Sequence, residues 1–483
     1  MVVSISHKPI NTLIITGTSP LSGRYAKHEP DKLQMTMTNS PITNKVPQQF
    51  SAALPDNVDV VIIGGGVIGI STALHLSTTG LKVLVCEKGR IAGEQSSRNW
   101  GWIRQQGRDI DELPIMMESR RIWQDWSDKY GNELGFKVSG VLHLADTEQR
   151  AEKHQEWMKT AKEFGVDSAL MSRSQLSSQV GDSKVWRSGL LTASDARAEP
   201  WQAVPHLAMA AEQAGVTIIE NCAVRTIESS NQQVCAVHTE MGAVKCEQAL
   251  VCGGAWSALL LRNAGIGLPQ LTVKATVAQS APCDAGVERN VSDSKISFRK
   301  RADGGYTIAL TDKLTHLIGK DSFLHGRHYA PILRDQWRGI SPRIAPTKRY
   351  PGSWLNTRNW DADSYTPFEA SRVLSPAGDS KVPALIKERL KPRNAVLANT
   401  PIVNLWAGMI DTMPDIIPVL DQAPQCAGLW IATGLSGHGF GIGPGVGRVM
   451  ADLMQGKPAG HELQRFRYNR FYDGSKLKLG PMI

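Results

Sequence analysis

Three glycines and one carboxylate carry the first readable chemistry. Gly64, Gly66 and Gly69 form a G-x-G-x-x-G pattern, and Glu87 follows 18 positions after Gly69. A glycine at 64 makes a tight turn, one at 66 lets the main chain approach a pyrophosphate, and one at 69 lets a helix pack closely on a strand. A helix opening at Val67 and Ile68 presents free amide groups and partial positive charge to phosphates. Glu87, with Lys88 beside it, closes the next strand, where a carboxylate accepts hydrogen bonds from ribose hydroxyls. That set of jobs is dinucleotide binding.

The flanking elements position those residues. DVVII, from Asp59, reads as a buried strand; VIGISTALHLSTTG reads as a helix ending near Gly80, and KVLVCE as a second buried strand. Together they make a β-α-β unit of roughly 30 residues, the size such a unit requires. Further on, helices are expected from Asp146 to Phe164, with Asp146 and Gln149 as a capping box, and from about Pro200 to Ala214. VTIIE, CAVRTI, QVCAVHT and ALVCGG read as strands, and 270–345 alternates strand-like pieces with turns, as a mainly antiparallel sheet does.

The fingerprint alone does not choose between a nicotinamide and a flavin. The far end of the chain does. Gly434, Gly437, Gly439, Gly441, Gly443, Gly445 and Gly447 crowd a segment leading into VGRVMADLM. A flavin site needs such an element, because main chain must approach the ring and a helix N-terminus stabilises negative charge on the reduced flavin. The cofactor expected is FAD.

With these residues in view, the chain resembles the D-amino-acid-oxidase-like flavoproteins, especially the glycine oxidase, sarcosine oxidase and D-amino-acid dehydrogenase branches. The resemblance runs from about Asp59 to Gln455, through AGEQSSRNWG (92–101), ALVCGGAWS (249–257), WAGMIDTMPDIIPVL (406–420) and IATGLSGHGFGIGPGVG (431–447). It implies an α/β fold: a Rossmann-like FAD-binding domain with a second, mainly antiparallel-sheet substrate domain. By position it places Ser96, Ser97, Asn99 and Gly101 near the pyrophosphate and flavin, and Val224 near the adenine. Gly253 and Trp256 would lie near the dinucleotide, Asp415 near the ribityl chain, and Gly437, His438 and Gly439 at the flavin edge. Trp100, Trp102 and Trp406 also fall in these motifs, where core packing competes with a role as an aromatic wall. The implied boundaries are an FAD-binding domain of 55–139, 191–264 and 402–470, and a substrate-binding domain of 140–190 and 265–401, after a flexible extension over 1–54.

Two departures limit the likeness. Gly408 stands where sarcosine oxidases carry the flavin-linking cysteine, seven residues before Asp415, so non-covalent FAD is expected. Gly441 stands where those enzymes carry a carboxylate-binding lysine. Arg104 is the first alternative clamp, since a guanidinium pairs bidentately with a carboxylate; a surface or pyrophosphate-facing arginine is the competing reading. Arg299 and Arg343 are weaker candidates. His438 reads as a positioning or electrostatic group, or as loop packing, and Lys274 as a positive charge supporting oxygen reactivity. The reaction implied moves a hydride from the carbon next to an amine nitrogen onto flavin, giving an imine that hydrolyses. An amino acid or secondary amine would be the substrate, and oxygen, a quinone or a protein the electron acceptor. A non-catalytic FAD-binding subunit of a larger oxidoreductase is the reading from another class.

Bulk properties agree with an ordinary globular protein. Of 483 residues, 41% are hydrophobic and 20% charged, and no apolar run is long enough for a spanning helix. The net charge of +9 is dispersed, with no basic block that points to nucleic acid. Seven cysteines without a C-x-x-C pair support neither zinc nor a disulfide framework. The first residues lack the features of a secretory signal, so the cytoplasm is the default compartment, and Met35 and Met37 are later possible starts.

Overall fold

A computed structural model describes residues 39–480, apart from 337–338 and 345–346. Its first sheet has six strands in the order Val419–Gln422, Leu429–Thr433, Gln248–Val251, Val60–Ile63, Val83–Glu87 and Thr217–Glu220. All neighbours run parallel except the first pair. VVII is buried throughout because helices and loops cover both faces of a parallel sheet. Alternation then divides its side chains: Val60 and Ile62 join one core, and Val61 and Ile63 the other.

On the first face, the helix Val67–Leu76 packs against the helix Gly439–Met454. A Cβ on Gly447 would lie 2.5 Å from the Ser71 side chain, and one on Gly443 would lie 2.7 Å from Val67. A Cβ on Gly445 would come within 2.6 Å of the Ile115 carbonyl oxygen. Three of the seven glycines of the C-terminal segment, Gly443, Gly445 and Gly447, therefore serve close packing of a helix that begins at Gly439.

The second sheet has nine strands and is mainly antiparallel, with long strands Leu271–Ser280, Tyr306–Ile318 and Ile402–Thr412. Parallel exceptions are Asn290–Ser292 beside Val141–Ala145, and Ile340–Ile344 beside Tyr306–Ile318. Its core gathers Leu142, Phe298, Tyr306 and Ile308. Ile402–Thr412, assigned from sequence to the dinucleotide-binding domain, is an edge strand of this second sheet, pairing along its length with Leu271–Ser280.

Two other expectations need correction. The extension was expected to be flexible over 1–54. Residues 1–38 lie outside the described residues, but beyond them Ile42 and Phe50 are core residues and Ser51 bridges to Ile219. Glu220 fixes this stretch by accepting the Gln49 amide at 2.8 Å. The helix expected from Asp146 is Glu148–Phe164, capped by Thr147, whose side chain accepts the Arg150 amide. Trp123 and Trp126, on the helix Leu113–Tyr130, are buried in the first core. All seven cysteines are free.

Candidate cofactor and active site

A cleft follows the carboxyl ends of the parallel strands, the place where open α/β sheets bind ligands. It encloses about 1200 Å³, its open mouth included. Gly64, Gly66, Val67 and Ile68 form its floor, and Gly437, Gly439 and Phe440 reach the same cavity from the C-terminal element. The two distant glycine turns thus share one wall. Glu87, Lys88, Ser96, Asn99, Val224, Gly253 and Trp256, all named from the sequence, also line it.

Local geometry explains the fingerprint. Gly64 has φ +119°, and a Cβ there would lie 2.8 Å from the Cys252 carbonyl oxygen. A Cβ on Gly69 would lie 2.1 Å from the Gly64 carbonyl oxygen, so only glycine lets the helix approach this closely. Ser96 Oγ accepts the Val67 amide at 2.9 Å, which places a hydroxyl at the helix N-terminus. Glu87 accepts from the Gly65 and Gly89 amides, each at 2.8 Å, while burial pushes its carboxyl up to about 7. Lys88 Nζ donates to Glu94 at 2.5 Å and lies 4.7 Å from the Trp256 ring centroid. Asn99 accepts the Gly101 amide at 2.7 Å, holding the turn after the short helix Gln95–Arg98.

The remaining expected positions lie off the cleft wall, each for an identifiable reason. The Asp415 carboxylate is committed to Arg470, at 2.8 and 3.1 Å, so it is a buried structural ion pair. Ser97 Oγ accepts the Ile42 amide and turns toward the incoming chain. Gly101 packs on the Ala198 carbonyl and Arg299, and Gly434 packs on Met413. The Arg104 guanidinium is buried and donates to the Gln106 carbonyl, and burial lowers it to about 9. It is not a clamp at the wall. Lys274 Nζ donates to the Ala377 carbonyl at 3.2 Å instead.

His438 sits between two wall residues but turns its ring away. Its Nδ1 lies 3.4 Å from Glu112 Oε2, and its carbonyl accepts from Arg108. Burial, then Arg108, lowers the imidazole to about 4, so it is neutral near pH 7. Arg299 pairs bidentately with Glu199 at 2.9 and 2.9 Å, and Arg343 is exposed. Trp406 donates to the Arg98 carbonyl, and Trp100 meets Trp102 edge-on. Of the motif tryptophans, Trp256 alone lines the cleft.

Sequence reasoning missed several wall residues. Asp411, at the end of Ile402–Thr412, accepts the Gly434 amide at 2.7 Å and the Leu435 amide at 3.2 Å. Its position four residues before Asp415, in the same motif, was the available signal. Glu94 accepts Trp256 Nε1 and the Leu374 amide, both at 3.0 Å. Phe368 came from a stretch with no readable pattern.

FAD fits this cleft. Gln95 and Ser257 line it, and each carries a buried side-chain oxygen, Oε1 and Oγ, without a hydrogen-bond partner among the described residues, so polar capacity is left unused beside the cleft. At Gly66, a Cβ would come within 3.1 Å of Ser96 Oγ, so side-chain bulk is absent where a pyrophosphate must approach. Where the linking cysteine would stand, a Cβ on Gly408 would lie 2.1 Å from Gln95 Oε1.

Fold and cleft together define a dinucleotide-binding flavoprotein with a sheet-built second half. The family described as FAD dependent oxidoreductase matches residues 59–453, and the chain belongs to it. The structure of L-amino acid deaminase from Proteus myxofaciens in complex with anthranilate is similar over 88% of this chain and 96% of that one, with 29% identity and a TM-score of 0.83. Mitochondrial sarcosine dehydrogenase of Mus musculus is 24% identical over 440 residues, 88% of this chain and 43% of that protein. Sarcosine oxidase subunit beta of an Arthrobacter species is 24% identical over 426 residues, covering 86% and 91% respectively. This chain spans less than half the length of the sarcosine dehydrogenase it matches. Among the described residues, no helix is long and apolar enough to cross a membrane, and no cluster of side chains is suited to a metal ion.

Proposed function

We propose that this chain oxidises an amine, an amino acid or a secondary amine, as the names of its relatives suggest. The observation that carries the proposal is the convergence of the Gly64–Gly69 and Gly437–Gly439 turns on one cleft. FAD, when bound, supplies the hydride acceptor, and the organic chemistry is the cofactor's. The chain's task is to bind, orient and desolvate. The N-terminus of Val67–Leu76 and Ser96 face the cleft where phosphates bind, and Glu87 receives ribose hydroxyls. Trp256, Phe368 and Phe440 supply apolar wall that excludes water. The substrate nitrogen reacts as the free base, because its lone pair drives hydride departure from the adjacent carbon. The iminium left behind gives its N–H proton to water, and the imine takes up water to yield a carbonyl compound with ammonia from an amino acid or a smaller amine from a secondary amine.

The experiment is an anaerobic screen of amines and amino acids against purified yellow protein, following loss of flavin absorbance. Bleaching by one class supports the proposal and identifies the substrate. Bound flavin that no amine bleaches supports the non-catalytic subunit instead. Comparing peroxide yield with dye reduction then separates oxygen from a quinone or protein as acceptor.

A further inference from the structure

We propose that residues 366–374 form a strap that closes the cofactor cleft at its Glu87–Val224 end and retains FAD kinetically. This rests on the reading that the cleft holds FAD. The strap comes from the second half of the chain, yet Phe368 contributes to the cleft wall beside Val224 and Trp256. Its ring meets Trp256 edge-on at 5.9 Å, with Trp360 behind it at 5.4 Å.

Both ends of the strap are latched to the dinucleotide-binding half. At one end, Glu369 caps Thr366 and pairs with Arg225 at 2.5 Å, and Trp360 Nε1 donates to the Arg225 carbonyl. Arg225 follows Val224, a wall residue. At the other end, Lys88 Nζ donates to the Ser371 and Arg372 carbonyls at 2.6 and 3.0 Å, and Glu94 accepts the Leu374 amide. Arg372 donates to the Lys88 carbonyl and pairs with Glu240. The strap also lies so close that a Cβ on Gly89 would be 2.0 Å from the Arg372 carbonyl oxygen.

Lys88 and Glu94 therefore serve two purposes. They belong to the cleft wall, and they fasten the segment that covers it. Covalent attachment is not expected at Gly408, so a latched cover is the means by which this chain would hold a dissociable cofactor through turnover. Opening requires several charged contacts to break together, which makes release slow.

The test measures FAD release from the holoprotein by recovery of free-flavin fluorescence after dilution. Arg372→Ala and Phe368→Leu are expected to raise the release rate tenfold or more, with the bound-flavin spectrum unchanged for Arg372→Ala, whose side chain is off the wall. Hydrogen exchange on the unaltered chain is expected to show amides of 366–374 protected by FAD. Release within twofold of the unaltered chain in both variants overturns the strap, as does exchange in this segment that ignores FAD. A purified chain that takes up no flavin overturns the cofactor reading and the strap with it.

Discussion

Asp411 Oδ2 holds the Gly434 amide at 2.7 Å across two elements that the sequence separates by 23 positions. The carboxylate ends the strand Ile402–Thr412, and the amide opens the turn that carries Gly437 to the cleft. Burial raises the Asp411 carboxyl, while the Gly434 and Leu435 amides oppose that shift.

Asp411→Ala leaves those two amides buried without an acceptor, at roughly 1–3 kcal/mol for each unmade bond. The turn bearing Gly437 should loosen, and flavin affinity should fall at least tenfold while the fold persists. Fluorescence titration of the flavin-free protein checks this. Unchanged affinity would show that the turn is held by packing alone.

Gly69→Ala should act through geometry rather than chemistry. The new methyl would fall 2.1 Å from the Gly64 carbonyl oxygen and 3.0 Å from Cys252 Sγ. Overpacking of this kind costs about 1–3 kcal/mol, and the shifted helix carries its N-terminus away from the phosphate site. Lower thermal stability accompanied by weaker FAD binding is the expected pair of readouts.

Asp415→Asn should destabilise the chain by about 3–5 kcal/mol, because it strands the buried Arg470 charge. The flavin spectrum should stay as in the unaltered chain, since Asp415 does not line the cleft. Denaturant unfolding with absorbance spectroscopy separates the two effects. A changed spectrum would return Asp415 to the cofactor site.

Acid should unfold the protein through its histidines. His75, His154, His325 and His438 are each lowered from 6.5 to about 4, with burial the largest cause. For a group whose folded value is depressed, the unfolded chain binds the extra proton between the two values. Stability is then full above about 6.5 and falls as pH drops toward 4. Melting temperatures across that range should decline, and His438→Asn should make the decline shallower. A flat profile would refute the neutral, buried state of these rings.

The legible parts of this protein are local ones. Gly64, Gly66, Gly69 and Glu87 could be assigned because turn, helix start and strand end fall within one β-α-β unit, where spacing dictates geometry. Gly437 and Gly439 were legible as a second glycine turn, and they reach the same cleft. Their neighbours were not: Gly443, Gly445 and Gly447 have the same residue type but pack against Val67, Ile115 and Ser71, and sequence spacing gives no view of the opposing helix. Arg104 failed as a clamp for a similar reason, because a guanidinium is satisfied by whichever carbonyl the fold brings near it.

The sequence by itself determined the dinucleotide fingerprint, the α/β character and a second glycine turn, since each follows from periodicity and short-range backbone geometry. Only the tertiary structure decided that Asp411 ties the Gly434 turn, that Asp415 pairs with Arg470, that His438 faces Glu112, and that Phe368 joins the wall. Those assignments depend on contacts between residues far apart in the chain, fixed by how two sheets pack rather than by any local pattern.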